Sequence, residues 1–393
     1  MNGGIVYIMK RERNYAIDII KTIAIVGVIT IHSCYEGYGY PIGSFNWLST
    51  LFFGSLTRAS VPLFLMCSGV LLLDTEKDIT IRKIYSKNML RIVAALFFWA
   101  IAYKIFILAV FQGFSINAMP QILKEVLVFK HESHLYYLHI MIIVYAFVPI
   151  TRIIIRNANQ RELQYILGVW FVLGIVYPLA KRFWPFTLLT GIPTQWLINM
   201  TYSSIGYGVL GYYLHKYAKC SKLIYAVFSC VGFLGVFIGT WIGSVNNATL
   251  YQVFFEGMSP FVAFMAIGIF GLVRCKKTFN TAAKSNMPEA SLEIKNTLLE
   301  ATISETSATK DERKNKKSMG TIFKRIFTSI SKASFCIYLV HKFFIYIFDL
   351  NGLKVSILPA FLSIPLLVSA NLICSVIVYF VLSRIPVVNK YLI

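Results

Sequence analysis

The feature that most constrains this chain is a succession of apolar runs, each about long enough to cross a lipid bilayer. Ten can be read, at roughly 15–34, 47–73, 91–112, 134–151, 163–181, 196–214, 223–243, 252–273, 333–349 and 357–382. A helix rises ~1.5 Å per residue, so about twenty residues cover a hydrocarbon core of ~30 Å. Within lipid every backbone N–H and C=O must be paired inside the protein, and a single apolar segment achieves this as a helix. The predicted fold is therefore all-α, a polytopic membrane bundle of about ten helices. A composition of 57% hydrophobic and 14% charged residues agrees and excludes an ordinary soluble domain. The first run is too long for the core of a signal peptide, and no small-residue cleavage site follows it.

With 38 Lys and Arg against 17 Asp and Glu, the formal charge is +21. Such an excess raises the question of nucleic acid, but its distribution answers it. The cations gather before the first span, after the even-numbered spans and at the C-terminal end, as loops retained in the cytoplasm do. Both termini are thus expected to be cytoplasmic, with the bilayer and not nucleic acid as the partner. The longest loop, 274–332, is rich in Lys, Glu, Ser, Thr and Asn and cannot bury enough apolar surface to fold alone. It reads as a flexible basic cytoplasmic loop interrupting one transmembrane domain, 1–393. A short amphipathic helix around Ser291–Ala301 is compatible with the pattern, and surface-lipid or partner binding is the alternative role. The seven cysteines show no C-x-x-C spacing and fall mostly within apolar runs, so no disulfide framework or zinc site is indicated.

Ionisable residues inside spans are costly, and each is a functional question. The first run holds Asp18, Lys21 and His32. Lys21 and His32 stand eleven positions apart, close to three helical turns, so they share one face roughly 16 Å apart. This is either a site reaching through the bilayer or a snorkelling lysine and a packed histidine. Arg58 falls near the depth of His32, and Pro62 after it is expected to kink the second span. Glu256 and His134 also lie toward the outer side. Arg82, Lys83, Lys87 and Arg91 precede the third span, where they either anchor the helix to anionic lipid or grip a phosphorylated ligand. His131, His134 and His139 raise the possibility of a metal, but no set of partner ligands accompanies them. Tyr338 and His341 lie one turn apart on one face of the ninth span, with packing and substrate-lining roles equally open. Lys104 has no role beyond snorkelling or a buried partner.

Four stretches carry a family likeness. AIDIIKTIAIVGVITIH resembles the opening signature of the acyltransferase-3 family of integral membrane acyltransferases, a basic residue followed by a histidine after ten intervening positions. RASVPLFLMCSGVLLL, with its Ser68-Gly69 pair, is similar to that family's second-span signature. HLYYLHIMIIVYAFVPI resembles its His-Leu-aromatic-aromatic-Leu span, and SFCIYLVH its late Tyr-Leu-x-His motif. The four occur in family order, and the nearest likeness is to the branch that O-acetylates surface glycans. The resemblance implies that His32 is catalytic and that Lys21 contacts the acyl-CoA donor. Basic residues before the third span are also associated with CoA, here Lys87 and Arg91, and Ser68 is grouped with them. The family usually has arginine where this chain has Lys21, a point charge in place of a bidentate fork.

The resulting expectation is an O-acyltransferase in a bacterial cytoplasmic membrane, moving an acyl group, taken to be acetyl, from cytoplasmic acyl-CoA to a hydroxyl of an envelope glycan or glycolipid. Acyl-CoA would be a co-substrate, with no tightly bound cofactor and no metal. His32 would act as general base or carry the acyl group, and its apolar surroundings favour the neutral imidazole. Arg58 would stabilise the oxyanion. Glu256 would orient His32 or bind the acceptor, or else form a structural ion pair with Arg58. His134, Tyr338 and His341 would line the substrate site. The rival expectation is a transporter or flippase of a lipid-linked saccharide or small metabolite, against which stands the lack of any visible inverted repeat.

Overall fold

A computed structural model describes residues 13–77, 79–113, 115–188, 200–219, 221–285 and 307–393. These are overwhelmingly helical, with no strand among them. The principal helices are α1 (Tyr15–Ser33), α2 (Phe45–Leu56), α3 (Ser60–Leu72), α4 (Leu90–Ile107), α5 (Met119–Leu127), α6 (Tyr136–Asn157), α7 (Gln160–Trp170), α8 (Met200–Lys216), α9 (Lys222–Asn247), α10 (Pro260–Ser285), α11 (Ser307–Leu350) and α12 (Ala360–Leu382). Among the described residues, nine helical stretches are long and apolar enough to cross a bilayer. The remaining predicted span, 196–214, corresponds to α8, a described helix of 17 residues. Local signals set several starts. The Ser44 hydroxyl accepts from the Trp47 N–H to open α2, and Asn159 with Glu162 forms a complete capping box on α7.

Two predicted segments differ. The second span is not one kinked helix but two, because the chain turns at Thr57–Ala59 between α2 and α3. Pro62 lies in the first turn of α3, where a missing N–H breaks no intrahelical bond, so the proline starts a helix instead of bending one. Helix α11 begins at Ser307 and runs on into the ninth span, while α10 extends to Ser285. The helix considered at 291–301 lies outside the described residues. Cys275 is disulfide-bonded, a pairing that spacing along the chain did not suggest.

Helix α1 is the axis of the bundle, packed against α2, α3, α10, α11 and α12. Asp18 at its lower end is buried. It accepts hydrogen bonds from Arg13 at 2.6 and 2.8 Å and from Ser331 at 2.7 Å, tying α1 to α11. Asp18 is therefore explained by structure. So is Lys104, paired with Glu125 at 2.5 Å. Apolar lipid gives helices little hydrophobic reason to associate, so close packing must hold them. Helices α3 and α8 meet backbone to backbone, and a Cβ on Gly69 would fall well inside contact distance of the Gly208 carbonyl. Gly69 is thus a packing residue. The buried Arg152 donates to the carbonyls of Leu72 (2.7 Å), Asp74 (2.9 Å) and Lys77 (2.5 Å), closing the end of α3.

Candidate active site

The last turn of α1 carries His32, and α11 rises beside it in the same direction. Ser331 meets Asp18 low in the bundle, and His341 meets His32 ten residues higher on α11, their ring centroids 5.1 Å apart. A short 3-10 turn, Ser133–Leu135, brings in a third imidazole just before α6. The His134 ring lies 6.1 Å from His32 and 5.4 Å from His341. Three histidines far apart in sequence thus meet at one point. His134 and His341 are fully buried, and His32 is partly open.

The cluster is held by its neighbours' backbones. The Nδ1–H of His341 donates to the Tyr338 carbonyl at 2.7 Å, which leaves Nε2 as the bare lone pair. The Tyr338 hydroxyl donates to the His134 carbonyl. Tyr103 presents its ring edge to His134 at 4.9 Å, stacks on Phe343 at 3.9 Å, and donates its hydroxyl to the Leu339 carbonyl at 2.7 Å. Asn371 on α12 donates to the His341 carbonyl at 2.8 Å. Yet both ring nitrogens of His134 and Nε2 of His341 are buried without a protein partner. Each such atom costs on the order of 1–3 kcal/mol, so a cluster of them marks a place built for something other than stability.

Two cavities meet at His32. The inner one, about 410 Å³, lies within the bundle between Val28, Arg58, Leu65, Tyr137, Tyr207 and Tyr338. The outer one, about 630 Å³, lies at the end of the bundle opposite Lys21 and is bounded by Tyr35, Glu36, Lys342, Tyr346, Asp349 and Lys354. His32 and Ser133 belong to both walls.

Arg58 sits at the α2–α3 turn and faces the inner cavity. Its guanidinium lies 3.6 Å over the Phe255 ring and reaches the Tyr38 hydroxyl at 3.5 Å, and its Nε is buried without a partner. Among the described residues it has no carboxylate partner. The expected Glu256 partnership is not formed. Glu256 turns to Arg182 at 2.8 Å, and both side chains are about half exposed. It neither orients His32 nor neutralises Arg58, although its neighbours Phe255 and Gly257 line the inner cavity.

The remaining expected residues are low in the bundle. Lys21 is half-buried, in no ion pair among the described residues, and not in the wall of either cavity. The Arg91 guanidinium lies 5.5 Å over Phe335, and its Nε is buried without a partner. Phe335 is four residues above Ser331 on α11 as Lys21 is three above Asp18 on α1, so Arg91 and Lys21 share a depth. Lys87 is exposed. Ser68 spends its hydroxyl on the Phe64 carbonyl at 2.9 Å. The other histidines separate from His134, because His131 and His139 pair with each other, Nε2 to Nε2, at 2.9 Å. No group of three His, Cys, Asp or Glu among the described residues is arranged to hold a metal.

Sequence reasoning missed a carboxylate beside the cluster. Glu132 accepts from Lys342 at 2.9 Å and from the Tyr346 hydroxyl at 2.7 Å. Burial alone would raise its pKa, but these two bonds outweigh burial and hold it below the ordinary glutamate value. The only local hint was the adjacency of Lys342 to His341.

Fold and site together define a multi-pass membrane protein whose interior histidine centre opens to cavities on two sides. More particularly, the chain belongs to the acyltransferase-3 family, whose acyltransferase domain matches residues 14–380. It is a membrane acyltransferase. Comparison with curated proteins and with solved structures finds no match.

Proposed function

We propose that this acyltransferase takes an acyl group, expected to be acetyl, from cytoplasmic acyl-CoA and delivers it to a hydroxyl of an envelope glycan or glycolipid in a bacterial cytoplasmic membrane. The observation that carries the reading is the position of His32, the one ionisable side chain in both cavity walls. A group so placed can meet a donor from one cavity and an acceptor from the other. The distribution of cations agrees. Lys21 and Arg91 sit low in the bundle without carboxylate partners among the described residues, suited to donor phosphates with Lys87 at the surface.

The donor's arm then extends through the inner cavity to bring its thioester carbonyl to His32. The His32 imidazole takes the proton of the acceptor hydroxyl as the new C–O bond forms. Electrons move onto the carbonyl oxygen beside Arg58, and their return breaks the C–S bond, with the thiolate of CoA taking up the proton. In the covalent variant His32 takes the acyl group first and passes it on. Arg58, half-buried with its Nε out of water and held over Phe255, meets the oxyanion with little reorganisation. His134 and Tyr338 line the inner cavity, whereas His341, in neither cavity wall, packs against His32 at 5.1 Å.

The test is CoA release and label transfer from labelled acetyl-CoA by the full chain in membranes. His32→Ala is expected to lower turnover by roughly 100- to 10,000-fold at equal protein level, and undiminished transfer removes His32 from the mechanism. Lys21→Ala is expected to raise the KM for acetyl-CoA about tenfold while Lys21→Arg preserves it. An unchanged donor dependence in Lys21→Ala refutes the donor contact. A carrier would move intact substrate without releasing CoA.

A further inference from the structure

The two cavities differ in charge, and that difference bears on the acceptor. Facing the inner cavity, Arg58 has no carboxylate partner among the described residues. The outer cavity is arranged the opposite way. Its two ammonium groups are both engaged, Lys342 by Glu132 at 2.9 Å and Lys354 by Asp349 at 3.0 Å. Glu36 adds a carboxylate that is in no ion pair among the described residues, although Lys354 feels its charge. Among the described residues it accepts from the Val355 N–H at 3.1 Å and the Ser356 hydroxyl at 3.3 Å, one bond to each oxygen, so lone pairs remain on both. The wall thus carries two carboxylates, Glu36 and Asp349, and two ammonium groups, each already in an ion pair, Lys342 with Glu132 behind the wall and Lys354 with Asp349. At the rim Tyr35 is 83% exposed and forms part of the wall, an aromatic face on which an apolar ring surface can rest.

From this we infer that the outer cavity is the acceptor site and that it takes a neutral, hydroxyl-rich sugar in preference to an anionic one. The inference rests on the acyl-transfer reading above and deepens it. A sugar ring lies against Tyr35, its hydroxyls donate to the open lone pairs of Glu36, and the reacting hydroxyl is directed inward to His32. An acceptor carrying a carboxylate or phosphate finds no uncommitted cation and meets the field of Glu36. Donor and acceptor are thereby sorted by charge, the anionic one to the cation-bearing interior and the neutral one to the mouth whose cations are already paired.

The experiment uses the full chain in proteoliposomes at fixed acetyl-CoA and measures acceptor-stimulated CoA release with maltotriose and with trigalacturonic acid. Maltotriose is expected to stimulate release, with trigalacturonic acid at least about tenfold poorer in kcat/KM, the effect of one like-charge contact in a poorly solvated site. Tyr35→Ala, at an exposed position, is expected to raise the KM for maltotriose several-fold while leaving that for acetyl-CoA unchanged. Glu36→Gln keeps an oxygen to accept from Val355 and Ser356, and is expected to narrow the gap between the two sugars. Equal use of both sugars, preference for the acid, no stimulation by either over a measurable background release, or an unchanged gap in Glu36→Gln overturns the inference and leaves the donor reading standing. Absence of any CoA release from wild-type protein overturns the acyl-CoA reading and this inference with it.

Discussion

Removing the Arg58 guanidinium separates a functional cation from a structural one. In a structural ion pair, loss of one partner strands the other in low dielectric and costs several kcal/mol. Arg58 has no such partner among the described residues, only a ring 3.6 Å beneath it and a hydroxyl at 3.5 Å. The stacking contributes about 0.5–2 kcal/mol, whereas the buried, unpartnered Nε costs about 1–3 kcal/mol. These nearly cancel, so Arg58→Met, which fills similar volume, is expected to leave stability within about 1–2 kcal/mol of wild type. Activity is expected to respond quite differently. A fixed positive group beside a developing oxyanion is worth roughly 3–4 kcal/mol, so kcat for acetyl-CoA-dependent CoA release should fall by about 100- to 1,000-fold. Tm in detergent and kcat in proteoliposomes, measured on the same preparation, give both numbers. Arg58→Lys is expected to recover only part of the rate, because an ammonium keeps the charge but not the planar stack on Phe255. A variant that loses Tm heavily while retaining kcat within about threefold would refute the reasoning and make Arg58 a packing residue.

Gly69→Ala sets a Cβ against the Gly208 carbonyl, backbone that cannot swing aside, and is expected to lower stability by about 1–3 kcal/mol, read as a drop in Tm. Glu132 supplies a pH dependence. Its folded pKa is depressed, so its contribution is fully present above the ordinary glutamate pKa and is lost as pH falls through the lower folded value. Tm recorded from about pH 7 down to about pH 3 should therefore lose a component in wild type that Glu132→Gln lacks at every pH. A Glu132→Gln profile parallel to wild type would contradict the bonds to Lys342 and Tyr346.

What the sequence determined by itself was whatever one segment settles alone. In lipid a helix pairs its own backbone, so run length and hydropathy were enough to find the spans. Helical periodicity was enough to set Lys21 and His32 on one face, and four short motifs in order were enough to suggest the family. Tertiary structure decided every relation between segments. It split the second span at Thr57–Ala59, where hydropathy is continuous but the chain turns. It drew His134 away from His131 and His139 and set it beside His32 and His341, and it gave Glu256 to Arg182, leaving Arg58 without a carboxylate partner among the described residues. Spacing along a chain fixes neighbours within a helix and says little about which helices pack together. That packing depends on small residues such as Gly69 and Gly208, whose meaning appears only when two backbones touch.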